Sequence, residues 1–144
     1  MKKLSLIFCG FIMMFISSFT CGKDDNCHYT ADFINKTDKT VYIMASSGYP
    51  DTNAWKYLSP DPLLSPEIHE VKANSNNDAA MRGRTCVEVF LSNPETDTLI
   101  LFVFDAQVLE TTPWDTVKAR NLYLTRYDLS LPDLQNNNWT VTYP

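Results

Sequence analysis

Residues 98–104 read Thr-Leu-Ile-Leu-Phe-Val-Phe and contain no polar side chain after Thr98. Because successive side chains of a strand point to opposite faces of the sheet, this run is apolar on both faces. Short runs of this kind are typical of strands with a sheet neighbour on each side and a packed layer above and below. The sequence therefore predicts that residues 98–104 form the most buried strand of the protein.

Segments with alternating apolar side chains lie on both sides of this run and predict further strands. Residues 29–35 and 40–45 flank a Lys-Thr-Asp-Lys turn, and we expect them to pair as a hairpin. Residues 85–91 precede the buried run, with an Asn-Pro-Glu-Thr-Asp turn between them, and we expect a second hairpin here. Three more strands are expected, at residues 67–73, 122–128 and 139–143.

Helix signals are short and occur only late in the chain. Thr112 and Pro113 have the N-cap and N1 signature of a helix that runs to about Arg120. Ser130, with a proline two residues later, indicates a one-turn helix. Six or seven short strands without long helices favour an all-β fold. We expect a single antiparallel β-sandwich, immunoglobulin-like in size, with one or two short helices near the C-terminal half.

The first 25 residues have the layout of a secretory signal. Lys2 and Lys3 precede an apolar run over residues 4–19, and small polar residues and Cys21 follow it. The run is slightly shorter than the roughly 17–25 residues of a membrane-spanning helix, so an uncleaved signal anchor is the alternative. We expect residues 1–20 to be a signal peptide, residues 21–28 a tether and residues 29–144 the folded domain.

Cys21 distinguishes simple secretion from lipid attachment. Ser18-Phe19-Thr20-Cys21 resembles a bacterial lipobox of the loose kind found in Bacteroidota, although Phe19 is bulky and Ser18 replaces the usual aliphatic residue. Residues 22–25, Gly-Lys-Asp-Asp, resemble the signal that sends such lipoproteins to the outer surface of the outer membrane. The resemblance implies lipidation of Cys21 and a lipid-anchored protein exposed on the cell surface. Two or three acyl chains would make this anchoring stable.

Three other stretches resemble a family of small uncharacterised lipoproteins of Bacteroidota. They are residues 49–52 (Tyr-Pro-Asp-Thr), residues 121–127 (Asn-Leu-Tyr-Leu-Thr-Arg-Tyr), and residues 133–134 with 138–144 (Asp-Leu, then Asn-Trp-Thr-Val-Thr-Tyr-Pro). The resemblance implies a lipid anchor and a single shared domain. It implies no particular activity.

The chain contains four cysteines, and two of them remain for the folded domain. Cys9 lies in the expected signal peptide and Cys21 is the expected lipidation site, which leaves Cys27 and Cys86. In an exported, oxidising setting we expect these two to form a disulfide that closes a loop of about sixty residues. Two buried free thiols are the alternative.

The net charge is negative and limits the classes of partner. The chain has 12 Lys and Arg and 17 Asp and Glu, for a formal net charge of −5. Loss of residues 1–20 removes Lys2 and Lys3 and no acidic residue, which changes the charge to −7. The basic residues are scattered and do not form the stripe that nucleic-acid binding needs. We expect no nucleic-acid partner, and membrane contact only through the anchor.

Residues 46–66 are rich in proline and contain three aromatic side chains. Gly48 and the prolines at positions 50, 60, 62 and 66 disfavour long regular structure. Tyr49, Trp55 and Tyr57 could therefore form an exposed platform that stacks on sugar rings. The alternative is that these rings pack back over one end of the core, since a loop of this length needs internal packing.

Patterns for catalysis, a metal or a cofactor do not stand out in the sequence. His28 and His69 accompany no nucleophile–base arrangement and have no metal-ligand spacing to the cysteines. The four glycines of the chain form no phosphate-binding loop. We therefore expect a non-enzymatic protein without a metal or cofactor.

Two classes of function remain after these exclusions. The first is a surface binding or accessory module, with a glycan as the ligand of Tyr49, Trp55 and Tyr57. The second is a structural or assembly component that binds a protein partner through a sheet edge, such as the strand at residues 139–143. A small hydrolase is a third alternative, which would require a cluster of carboxylates or histidines in a pocket.

Overall fold

A computed structural model describes residues 27–50 and 61–144, and the expected signal peptide and Cys21 lie outside these ranges. The described residues form seven strands and five short α-helices. The strands are β1 (Asp32–Asn35), β2 (Val41–Ser46), β3 (Glu70–Val71), β4 (Ser75–Asn77), β5 (Thr98–Asp105), β6 (Thr125–Ser130) and β7 (Thr140–Tyr143). The α-helices are α1 (Pro66–His69), α2 (Val87–Leu91), α3 (Ala106–Thr111), α4 (Trp114–Arg120) and α5 (Leu131–Asn136). Two 3-10 helices occupy Pro62–Leu64 and Ala79–Met81.

The strands form two sheets. The larger sheet has the order β3-β2-β5-β6, and all of its neighbouring strands are antiparallel. The smaller sheet has the order β4-β1-β7, in which β1 is antiparallel to β4 and parallel to β7. The described chain is therefore a small, sheet-rich domain with two mostly antiparallel sheets and short helices. None of its helices has the length and apolar character needed to cross a membrane.

Both faces of the larger sheet are buried. On one face, Leu101 of β5 packs in the same core cluster as Phe33 of β1, so that the two sheets share this core. On the other face, Phe102 of β5 packs with Leu109 of α3 and Val117 of α4. Residues 100–104 of β5 are all at most 1% exposed. The prediction that residues 98–104 form a strand buried on both faces is confirmed.

Residues 85–91 are the clearest error of the sequence prediction. The expected strand is the helix α2, and β5 pairs with β2 and β6 instead of forming a hairpin with it. Val87 and Leu91, four residues apart, are buried on one helical face, whereas Val89 between them is 61% exposed. A short apolar run can satisfy either the helical or the strand period, and here packing on the shared core selects the helix.

The first predicted hairpin is also wrong, because β1 and β2 belong to different sheets. Both edges of β1 are occupied by other strands: β4 pairs on one side and β7 on the other. The pairing with β7 extends beyond the strand ends, since the Asp32 N–H donates to the Trp139 carbonyl at 2.8 Å and the Lys36 N–H donates to the Tyr143 carbonyl at 2.8 Å. The chain after β1 therefore crosses to the larger sheet.

The middle of the chain is less regular than predicted. Of residues 67–73, expected as a strand, the first three belong to α1 and only Glu70 and Val71 form the short strand β3. Ile68 and Val71, which break the alternation, belong to different elements: the exposed Ile68 lies on α1 and the buried Val71 on β3. The strand expected at residues 139–143 is present as β7, and the one expected at 122–128 begins three residues later, as β6.

Both predicted C-terminal helices are present, together with an additional one. The first is α4, which begins one residue later than expected, after Pro113, and ends at Asn121 in the left-handed conformation (φ 52°). It is anchored to the sheet by Val117, which is fully buried, and by Trp114, whose ring lies 5.6 Å from that of Phe104. The additional helix is α3, which Asp105 caps by accepting hydrogen bonds from two backbone N–H groups.

The second predicted helix, α5, begins with a capping box at Ser130. The Ser130 side chain accepts from the Asp133 N–H, and the Asp133 carboxylate accepts from the Ser130 N–H at 2.9 Å. We expect Ser130→Ala to lower the free energy of unfolding by about 1 kcal/mol, because it removes the cap. Ser130→Asn should retain most of the stability, since asparagine caps as well as serine. Urea unfolding of the three proteins measures this; equal losses in both variants would contradict the capping role.

Candidate binding cleft

A cleft of about 370 Å³ opens at the end of the larger sheet, where β2 finishes and β5 starts. One wall consists of the 3-10 helix Ala79–Met81 and the following residues 82–85, and α2 forms the other. We call this space the binding cleft. Its volume lies in the lower part of the range of about 300–1,000 Å³ that is typical of small-molecule sites.

The floor of the binding cleft is apolar because it is the open end of the core that the two sheets share. Met81 and Val87 are buried members of that core. Phe90 and Leu99 are half-buried and pack against it. An apolar group in the cleft would therefore extend the protein core and remove further apolar surface from water.

The rim of the binding cleft is polar and carries two cations. Arg82 and Arg84 flank Gly83, and Ser46, Ser47 and Thr85 add hydroxyl groups. All the side chains that line the cleft in the described part of the chain are apolar, hydroxyl-bearing or cationic. The rim thus offers hydrogen-bond donors at the mouth of an apolar space.

Backbone hydrogen bonds to the first described residues fix the position of the arginine-bearing wall. The Gly83 N–H donates to the Tyr29 carbonyl at 2.8 Å, and the Val87 N–H donates to the His28 carbonyl at 2.8 Å. Gly83 is required here, since a Cβ at this position would lie 2.9 Å from the Thr85 carbonyl oxygen. The wall is held in place before any ligand arrives, which limits the entropy lost on binding.

The predicted disulfide between Cys27 and Cys86 is present and links the first described residue to the end of the arginine-bearing wall. Their Cα atoms are 5.4 Å apart, within the usual range for a disulfide. Together with Glu88 the two cysteines place three ligand-type atoms within 4.8 Å of one another, the only such group among the described residues. Because both sulfur atoms are bonded to each other, only the carboxylate of this group could bind an ion.

His28 and Glu88 are joined by two hydrogen bonds beside the disulfide. The Nδ1 of His28 lies 2.5 Å from one oxygen of Glu88, and the His28 N–H donates to the other at 2.9 Å. The His28 ring also stacks on Trp139, with centroids 4.0 Å apart. Burial raises the pKa of Glu88, but these hydrogen bonds outweigh it and leave the pKa below its ordinary value.

The lowered pKa of Glu88 predicts a pH dependence of stability. Since the folded state binds the proton of Glu88 less readily than the unfolded state, the carboxylate stabilises the protein above its ordinary pKa of 4.5. This contribution is lost as the pH falls through the lowered value. We expect Glu88→Gln to cost about 1 kcal/mol at pH 7 and progressively less as the pH falls below 4.5.

Urea unfolding of the wild type and Glu88→Gln between pH 7 and pH 3 measures this effect. The exposed Glu95 provides the matched control, because Glu95→Gln should leave the free energy of unfolding nearly unchanged at each pH. A loss at Glu88 that is the same at pH 7 and pH 3 would contradict the assignment.

The structure describes only part of the aromatic loop at residues 46–66. Tyr49 is 42% exposed and lies two residues after Ser47, which lines the rim of the binding cleft. Trp55 and Tyr57 lie outside the described residues. The loop therefore leaves the larger sheet at the mouth of the cleft.

A second groove of about 240 Å³ separates β6 from the free edge of β7. The hydroxyl of Tyr127 on β6 donates across it to the Thr142 carbonyl of β7 at 3.3 Å. Burial and, after it, the nearby Tyr143 raise the pKa of Tyr127 above its ordinary value of 10.0. We call this space the edge groove. Among the described strands, β7 has a neighbour on one side only.

Sequence reasoning did not identify the cleft residues Arg82, Arg84 and Phe90. The one local signal is the sequence Arg-Gly-Arg at residues 82–84, which ends two residues before Cys86. Phe90 was expected to lie on a strand. Comparison with models of protein families, with curated proteins and with solved structures gives no match for this chain.

Proposed function

We propose that this protein is a lipid-anchored surface lipoprotein of the outer membrane that acts as a non-enzymatic binding module, with the binding cleft as its ligand site. The observation that carries the proposal is the cleft itself, which has an apolar floor, a polar rim and a wall fixed by a disulfide. Concave sites of this composition are the usual places of small-molecule recognition. The two sheets, which share one core, would form the sandwich scaffold of such a module.

The position of the aromatic loop supports a glycan as one class of ligand. Ser46 and Ser47 lie at the rim, and the exposed Tyr49 follows directly in the chain. A sugar ring stacked on Tyr49 could thus place its substituents near the rim donors. Trp55 and Tyr57 are included as glycan-stacking residues on the basis of the sequence alone.

The lining of the cleft also supports a binding role over a hydrolytic one. General acid–base catalysis usually relies on a histidine, a carboxylate, a lysine, a tyrosine or a cysteine within reach of the substrate. The described lining residues include none of these, so the hydroxyl groups of Ser46, Ser47 and Thr85 have no general base among them. A ligand held here would therefore be bound without being cleaved.

Fatty-acid labelling and surface proteolysis of intact cells test the anchored location. We expect the wild type to be labelled and digested, and Cys21→Ala to be neither. A protein that is labelled but protected from the protease would place the domain in the periplasm and contradict surface exposure. A protein without label would contradict lipidation.

Glycan and small-molecule arrays test binding at the cleft. Ser47→Trp places a bulky side chain at the exposed rim and should abolish binding, whereas Asn76→Trp, at an exposed position outside the cleft lining, should not. Ligand binding that survives Ser47→Trp would contradict the cleft as the site.

The edge groove favours an assembly role as the second candidate. Within residues 27–50 and 61–144, β7 pairs only with β1, and an extended peptide of a protein partner could add to its other edge. The bond from Tyr127 to Thr142 occupies one acceptor of that edge. Thr142→Pro would block strand addition; a partner cross-linked equally well to this variant and to the wild type would contradict the role.

A further inference from the structure

We infer that the binding cleft takes a small amphipathic anion, in which an apolar body carries one carboxylate, sulfate or phosphate group. The inference rests on the proposed binding function and names the chemical class of its ligand. Its basis is the contrast between the cleft and the rest of the molecule. The whole chain has a net charge of −5, yet among residues 27–50 and 61–144 the charged side chains that line the cleft are two arginines.

Both arginines have donors available for an anion. Arg84 is exposed and makes no ion pair within residues 27–50 and 61–144. Arg82 uses one nitrogen, Nη2, to bind Asp78 at 2.8 Å. A guanidinium has five N–H donors and binds carboxylate, sulfate or phosphate oxygens in pairs, so most of the donors of Arg82 remain.

The spacing of the two arginines favours a shared anion over two separate ones. Only Gly83 stands between them, and its backbone is held by the bond to Tyr29. Neighbouring backbone that is fixed in this way reduces the entropy lost when two long side chains converge on one group. A single anionic group between them would gain charge-assisted bonds from both.

The floor determines the other half of the ligand. Met81, Val87 and Leu99 offer no hydrogen-bond partner, so a group with many hydroxyls would lose hydration without compensation there. An apolar ring system or short chain would instead gain from burial. The ligand should therefore be anionic at one end and apolar at the other.

Four probes of one shape test the inference: naphthalene-2-carboxylate, naphthalene-2-sulfonate, the neutral naphthalene-2-carboxamide and the cationic 2-naphthylmethylammonium. Titration calorimetry on the full-length protein in nanodiscs, with empty nanodiscs as the blank, gives each affinity. We expect both anions to bind about tenfold more tightly than the amide, and the cation to bind least. The preference should weaken as salt is added.

Variants assign the preference to the arginines. Arg84→Gln should reduce anion affinity about tenfold and leave the amide unchanged, while Arg120→Gln, at an exposed arginine of α4, should change neither. Asp78→Asn should raise anion affinity, because it releases Arg82. Since Arg84 makes no ion pair with the residues that the structure describes, the Arg84→Gln variant should retain the wild-type melting temperature.

The outcomes separate this inference from the proposed function. Equal affinity for the anions and the amide, unaffected by Arg84→Gln, would overturn the anion inference and leave the binding module intact. Failure of all four probes to bind would overturn the inference. If the array ligands then also failed to bind in the cleft, the proposed binding function would be contradicted as well.

Discussion

Replacement of both Cys27 and Cys86 by serine is expected to lower the free energy of unfolding by about 4 kcal/mol. The disulfide joins residues 59 positions apart, and the chain-entropy model assigns about this stabilisation to a closed loop of that length. Small domains have a total stability of about 5–15 kcal/mol, so the loss removes a large fraction of it. The melting temperature should fall by roughly 10 °C or more.

Urea and thermal unfolding of the double variant measure this loss. The double replacement is preferred because a single one would leave an unpaired thiol in the domain. In the wild type, maleimide should modify Cys27 and Cys86 only after reduction. A wild type that reacts at both positions without reductant would contradict the bridge, and an unchanged melting temperature would contradict its contribution to stability.

Asn35→Ala is expected to cost about 3 kcal/mol, because several backbone groups would lose their partner in the protein interior. Asn35 is fully buried at the end of β1. Its side-chain NH2 lies 2.7 Å from the Lys39 carbonyl, 3.2 Å from that of Val71 and 3.1 Å from that of Lys72. Its side-chain oxygen accepts from the Thr37 N–H at 3.0 Å. The Asn35 side chain therefore connects the chain segment that crosses between the two sheets to β3.

Asn35→Asp separates the hydrogen bonds from simple packing. The carboxylate has nearly the same shape but cannot donate to three carbonyl groups, so we expect a loss at least as large as for alanine at pH 7. The exposed Asn76 on β4 provides the control, and Asn76→Ala should change the free energy of unfolding by no more than about 0.5 kcal/mol. A loss at Asn35 no larger than that at Asn76 would contradict this role.

The sequence predicted those elements whose signal is local and unambiguous. Residues 98–104 are a continuous apolar run rich in aromatic and β-branched side chains that follows a turn signal, which favours a strand covered on both faces, and Ser130 carries its capping partner three residues away. The prediction of a strand at residues 85–91 was wrong because five apolar or aromatic positions in a short run fit a helix as well as a strand. The parallel pairing of β1 with β7 joins residues more than one hundred positions apart, and local patterns contain no information on it.

The same limit of local sequence patterns explains why only part of the candidate site could be predicted. The disulfide was predictable because two of the four cysteines fall at the expected signal peptide and lipidation site, which leaves a single pair. The binding cleft was not, because it forms only where the end of β2, residues 79–85, α2 and the start of β5 meet. In the sequence Arg82 and Arg84 were counted among scattered basic residues. Their position at the rim of the cleft depends on contacts between segments that are far apart in the chain.

The disulfide also determines how force would pass through the domain. In a protein anchored through Cys21, a force applied to the tether would reach the described domain at Cys27. From Cys27 the force would be shared between two routes. One branch follows the chain to β1, and the other crosses the bond to Cys86 at the start of α2. The second branch is covalent and leads directly to the wall that carries Arg82 and Arg84. Drag on the cell surface would therefore load the rim of the cleft, and the anchor would act on the ligand site as a mechanical linkage.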